Sequence, residues 1–131
     1  MAPRPCPGRG RSVGLDGVAA QQANYARSGF VRTGATLRWQ GRLAARADAA
    51  VRPARPGDAP AISTLDRAAC GVPRLAFLAA WIAGDATRQS LVLEVDGHLR
   101  GFATLRLCRD GGKIGPVVTP SSADALALAQ A

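Results

Sequence analysis

Two stretches of this sequence hold residues whose types and spacing suit chemistry. The first is Tyr25-Ala26-Arg27-Ser28-Gly29-Phe30, where the single tyrosine stands just ahead of a Gly-Phe pair. A phenol there has two uses. It can donate its proton as a general acid, or it can lay its ring in a core with the hydroxyl outward. The second stretch is Lys113-Ile114-Gly115-Pro116-Val117-Val118, followed by Thr119-Pro120-Ser121-Ser122-Ala123-Asp124. A strand running into a helix that starts at Ser121 or Ser122 brings unpaired backbone N–H groups together at a helix N-terminus, which attracts anions. The connecting loop works against phosphate binding. It has no glycine to let the backbone close around an anion, and Pro116 and Pro120 each remove a donor.

Other chemistries find little support. His98 sits beside the Asp96-Gly97 turn with no second histidine, so it reads as a solvated turn residue. Asp16, Asp66 and Glu94 read as isolated carboxylates. Cys6, Cys70 and Cys108 are far apart, odd in number and without metal-ligand spacing. We therefore expect no metal, no Ser-His-Asp triad and no covalent nucleophile. The cysteine pattern argues for a reducing cytoplasm, and no run approaches the roughly 20 apolar residues of a membrane span. The basic opening, Met1 to Gly10, is followed by no apolar segment and so is not a secretory signal; its Pro and Gly density reads as a disordered leader over 1–11. A net charge of +8, with Lys113 the one lysine, could steer an anionic partner such as nucleic acid or the phosphates of a cofactor. The arginines are scattered and aromatics few, which argues against specific nucleic-acid binding; a non-enzymatic basic interaction module stands as the alternative reading.

The elements that would position these residues follow from periodicity. Ser12 to Leu15 is a short strand candidate, and Asp16-Gly17 can make the turn after it. Ala19 to Ser28 reads as a helix ended by Gly29, and Phe30 to Gln40 as a strand. Arg42 to Ala50 is small and polar, a linker helical in part. Val51 opens a new unit with a short strand, and Asp58 is placed to cap a helix that runs to about Ala69, with Ile62, Leu65 and Ala69 on one face. Gly71 breaks that helix and Pro73 starts the next, where Leu75, Leu78 and Ile82 form one stripe and Phe77 with Trp81 another. Leu91 to Val95 alternates as a strand, Asp96-Gly97 signals a hairpin, and Leu99 to Cys108 returns. In that return Leu99 shares a face with Gly101, Ala103, Leu105 and Leu107. Lys113 to Val118 is a third strand, and Ser121 to Asp124 gives a capping-box start to an Ala- and Leu-rich helix.

The Tyr25 to Phe30 motif resembles the C-terminal part of the GNAT superfamily of acyl-CoA N-acyltransferases. The longer run Gly14-Leu-Asp-Gly-Val-Ala-Ala-Gln-Gln-Ala-Asn-Tyr25 looks like the branch with two GNAT-like domains in tandem. Gly101-Phe-Ala-Thr-Leu-Arg-Leu-Cys-Arg109 and Lys113-Ile-Gly-Pro116 resemble the second-domain segment of that branch. The resemblance implies an α/β (α+β) fold, with a mixed, largely antiparallel sheet flanked by helices and incomplete in this chain. Residues 12–41 would be the C-terminal part of a first domain, 42–50 a linker, and 51–131 the N-terminal part of a second. An Arg4 to Gly10 match to the family's pyrophosphate loop fails on spacing. By the same resemblance Tyr25 would protonate the departing thiolate of coenzyme A. Ile114, Gly115, Val117 and Val118 would bind the pantetheine arm, and Ser121 and Ser122 the pyrophosphate. The parent protein would transfer acetyl from acetyl-CoA to a small-molecule or peptide amine, using no metal. The chain alone is expected not to be competent, its second unit serving to shape the acceptor side. An Arg/Gln-x-x-Gly-x-Gly loop encoded upstream of Met1 would support that division.

Overall fold

The computed structural model describes residues 13–131, which belong to two compact units, Met1–Gly41 and Arg42–Ala131. The expected leader over 1–11, Cys6, the Arg4 to Gly10 stretch and the first residue of the Ser12 to Leu15 strand lie outside the described residues.

In the first unit a single-turn helix at Ala19–Gln21 leads into helix α1, Gln22–Arg27. Gly29 ends it at φ 88°, the left-handed value that a residue without Cβ adopts at no steric cost. Ser28 N–H donates to the Asn24 carbonyl (3.1 Å) and Gly29 N–H to the Ala26 carbonyl (3.0 Å), so the last turn closes on itself. Residues 13–18 and 30–41 form no strand, contrary to the expectation for Ser12 to Leu15 and Phe30 to Gln40. The physical reason is pairing. A strand needs a neighbour to exchange backbone hydrogen bonds with, and the one side-chain bond joining these segments runs from Thr36 Oγ1 to Asp16 (3.1 Å). Val31, Leu37 and Trp39 are consequently exposed, Trp39 at 87%.

The second unit is built on a four-stranded antiparallel sheet in the order β1-β2-β3-β4: β1 Val51–Pro53, β2 Arg88–Val95, β3 His98–Leu107 and β4 Gly112–Val118. Helices α2, Ala59–Cys70, and α3, Leu75–Ile82, follow β1; α4, Ser122–Gln130, follows β4. Alternation along the strands feeds two cores. Val92 and Phe102 pack with Ile62 of α2 and Leu78 of α3, while Leu93 and Ala103 pack with Leu128 of α4. The sheet is thus covered on both faces, which is why β3 is buried from Gly101 through Thr104. One polar pair enters the first core, Ser90 and Thr104, whose hydroxyls meet at 2.8 Å and satisfy each other.

The Asp96-Gly97 turn forms as expected, with both residues at positive φ (51° and 74°). His98 begins β3 and pairs with Val95, exposed at the edge of that turn. Leu99 departs from its expected face. Leu93 pairs with Gly101 and Glu94 with Leu99, leaving Arg100 as an extra residue in a bulge. The bulge reverses the alternation, so Leu99 packs against the core of Ile62 and Phe102.

Residues 42–50 contain no helix. Their backbone lies along α4 and β2 instead: Arg46 N–H donates to the Gln130 carbonyl (2.9 Å), Gln130 Nε2 to the Ala44 carbonyl (3.2 Å), and Glu94 N–H to the Ala50 carbonyl (2.8 Å). Asp58 lies in a helical turn, Pro56–Asp58, ahead of α2. Its carboxylate does not cap α2 but accepts the Arg55 N–H (2.7 Å) and both terminal nitrogens of Arg52 (2.8 and 3.0 Å). Arg52 Nε reaches Glu94 at 2.7 Å, so Glu94 is not isolated. This arginine holds Asp58 down to about 2, well below its ordinary 3.8.

Candidate functional site

In the second unit, β4 carries four of the expected site residues, and α4 begins directly after it. Among the described residues β3 is the only strand that pairs with β4, which leaves the other edge of β4 open. Its register contains the feature that shapes it. Ala103 pairs with Val117 and Leu105 with Ile114, so Gly115 and Pro116 together stand opposite Thr104. Proline, which has no N–H to give a ladder, is tolerated at such a bulge. The Gly115 carbonyl accepts a hydrogen bond from Trp81 Nε1 at 3.2 Å. Ile114 and Val117 are exposed apolar side chains, and Val118 packs against the Phe102 core.

Ser121 and Ser122 are exposed at the start of α4. Ser121 has extended backbone and its Oγ accepts the Asp124 N–H at 3.1 Å, the cap that the sequence predicts. Asp124 does not reach back to complete a box. Its carboxylate pairs with Arg100 at 3.0 Å, the residue that the β3 bulge sets free. One N–H of the helix start is therefore capped, and a carboxylate already sits in the first turn, where the helix dipole favours negative charge. An incoming phosphate finds that favourable position partly taken. The Thr119 loop also passes tightly over β3: a Cβ on Gly101 would stand 2.8 Å from the Val118 carbonyl oxygen and 2.5 Å from Thr119 Cγ2.

The side chains around Trp81 were not foreseen as one group. Phe77 and Trp81 stack with ring centroids 5.5 Å apart at 16°. The Arg74 guanidinium lies over the Phe77 ring at 4.7 Å and that of Arg88 over the Trp81 ring at 4.5 Å. Arg74 in turn grips Asp66, with Nε to Oδ2 at 2.9 Å and Nη2 to Oδ1 at 2.5 Å. Asp66 is wholly buried on α2, not isolated as its sequence context suggests. The Arg74 hydrogen bonds hold its carboxyl below the usual carboxylate range against the cost of burial. The sequence signal for Phe77 and Trp81 was their helical spacing. For Arg74 and Asp66 there was none, because their separation spans the break between two helices.

Tyr25 lies in the first unit, half-buried. Its ring meets Phe30 edge-on, centroids 6.4 Å apart, and comes so close to Gly17 that a Cβ there would stand 2.5 Å from the ring. A packed ring with the Tyr25 carbonyl tied to Phe30 N–H (3.0 Å) fixes where the phenol starts from. Each unit holds its own candidates: Tyr25 in the first, and Ile114, Gly115, Val117, Val118, Ser121 and Ser122 gathered along β4 and the start of α4 in the second.

Elsewhere, a shallow depression of about 380 Å³ is lined by Ala49, Ala50, Arg52, Arg55, Glu94 and Gly97, but Arg52 there is already engaged by Asp58 and Glu94. Among the described residues no group of three His, Cys, Asp or Glu side chains is placed to hold a metal ion. No helix among them is long and apolar enough to cross a membrane.

Comparison with known proteins gives a consistent picture. The chain is similar to the holothin acyltransferase of Pseudoalteromonas sp. (strain SANK 73390), 32% identical over 127 residues that make up 92% of this chain and 43% of the relative. The chain thus spans less than half the length of that relative. No solved structure matches it. Residues 62–131, from within α2 through β2, β3 and β4 to α4, match the acetyltransferase (GNAT) domain family, and this chain belongs to that family of acyltransferases.

Proposed function

We propose that the protein transfers an acetyl group from acetyl-CoA to an amine, the amine attacking the thioester directly. The observation that carries this reading is the GNAT match over residues 62–131, which covers the open-edged strand and the helix start beside it. Acetyl-CoA supplies an activated thioester carbonyl. The β4 edge suits the pantetheine arm, with unpaired backbone between the exposed apolar Ile114 and Val117 and with Gly115 and Val118 completing the strand. The N–H groups near Ser121 and Ser122 would take the phosphates, and only weakly, because Asp124, paired with Arg100, already occupies the first turn of α4.

In this reading residues 12–41 are the closing part of a catalytic domain, 42–50 a linker, and 51–131 the opening part of a second domain that shapes the acceptor side. Tyr25 gives its proton to the thiolate of a coenzyme A held within its own catalytic domain, as the C–S bond breaks and the C–N bond forms. The 131-residue chain by itself is then not competent for turnover. The acceptor is a small-molecule or peptide amine, and the relative's name makes holothin the first to try. Free Cys70 and Cys108 accord with a cytoplasmic setting.

The test is release of coenzyme A thiol from acetyl-CoA, with holothin and simple primary amines. It is run on the protein as its host expresses it. Tyr25→Phe keeps the ring against Gly17 and Phe30 and removes the proton, so kcat should fall about 10²- to 10⁴-fold with unchanged thermal stability. Thiol release that needs no amine, or full activity in the variant, would sink the corresponding part of the reading.

A further inference from the structure

The bulge at Gly115-Pro116 creates a problem that the rest of the second unit answers. Two residues of β4 stand opposite one of β3, and the register gives Gly115 no partner there. Its carbonyl lies in a partly buried position, where an unpaired acceptor is costly. The donor comes from outside the sheet, from the indole N–H of Trp81 on α3, a group that can only donate. That indole is held in its turn. Phe77 covers one face, Arg88 lies over the ring, and Arg88 is itself tied to α3 by a bond from Nη1 to the Ala80 carbonyl (3.2 Å) and to Asp85 at 3.6 Å. Phe77 is backed by Arg74, and Arg74 is fixed by the buried Asp66. A continuous line of contacts therefore runs from buried Asp66 of α2, through Arg74 just ahead of α3, Phe77 and Trp81 on α3 and Arg88 of β2, to one carbonyl of the open-edged strand.

We propose that this Arg74–Phe77–Trp81–Arg88 stack is a positioning device for β4, with Trp81 as the positioning residue that fixes the edge offered to the acyl-CoA arm. The use of that edge rests on the acyl-CoA reading above; the positioning itself rests on the contacts alone. An ordinary packing role would make Trp81 contribute to the whole core. A positioning role concentrates its effect on the one strand its indole reaches.

Trp81→Phe separates the two, since it keeps an aromatic ring in the stack and deletes the N–H. Amide hydrogen exchange is measured residue by residue on the full chain, with Trp39→Phe as a control for loss of a tryptophan elsewhere. Exchange should accelerate about five- to tenfold at the amides of residues 112–118 other than Pro116, the size of one hydrogen bond's net contribution, while β2 and the β3 amides bonded to it keep wild-type rates and Trp39→Phe changes neither. Unchanged exchange on β4, or an equal acceleration throughout the sheet, would overturn the proposal; the β2 and β3 rates also report whether the variant folds. Acetyl-CoA added to the wild-type chain tells the two readings apart. If it perturbs no β4 amide while the β4-confined acceleration is still seen, the acyl-CoA reading of the edge fails and the positioning of β4 by the stack stands.

Discussion

Asp58 is one residue whose behaviour can be followed with pH. It is mostly buried between Arg52 and the Arg55 N–H, and those bonds hold its carboxyl near 2 when folded, against 3.8 ordinarily. A lowered folded value means that the stabilisation is complete above the unfolded value. It is lost as the pH falls from about 4 through 2, when the carboxyl takes up a proton and releases Arg52. Asp58→Asn should therefore unfold at a lower temperature than wild type at pH 6, with the difference vanishing as the pH approaches 2; thermal melts across that range check it. Asp66, also held low by its arginine, supplies acid sensitivity that remains in the variant. Neither pairing was legible in the sequence. Arg52 of β1 joins Asp58 and Glu94 from two other segments, and Arg74 meets Asp66 across a helix break, so no local period marks them. The Tyr25 to Phe30 motif was legible because its residues act as consecutive neighbours, as the contact of the two rings shows.

At the scale of elements, local signals account for most of what formed. The Asp96-Gly97 hairpin, the glycine stop after α2 at φ 77° and the serine cap of α4 each depend on a few adjacent residues. Bulges do not. The one at Arg100 is visible only once β2 is laid beside β3, and it both turns Leu99 over and aims Arg100 at Asp124. The strands expected near Ser12 and Phe30 failed for the converse reason: their composition suits a strand, but pairing decides. At Gly101 the end of β4 and Thr119 leave no room for a side chain. Gly101→Ala would drive a Cβ against the Val118 carbonyl oxygen at 2.8 Å, a backbone atom that cannot swing aside. The variant should lose about 1–3 kcal/mol in urea unfolding; a loss below a few tenths would mean that the β4–α4 loop is not held as closely as its contacts indicate.

For the whole molecule, the antiparallel sheet and flanking helices are those the sequence led us to expect, and the family match covers all of them but β1 and the first residues of α2. What periodicity could not give was the pairing state of each edge. An open edge and a paired one have the same alternation, and only the sheet order shows β4 with a free side. The charge of +8 leaves a rival reading in which anions gather on scattered arginines without a site. Titrating the isotope-labelled chain with acetyl-CoA, amide by amide, at two salt concentrations separates these directly. The acyl-CoA reading predicts weak, millimolar binding whose perturbations centre on Ile114 to Val118 and the Ser121-Ser122 start of α4, reduced by salt but keeping that centre. Perturbations spread over arginines throughout the chain and abolished by salt, or none on β4 at all, would contradict it.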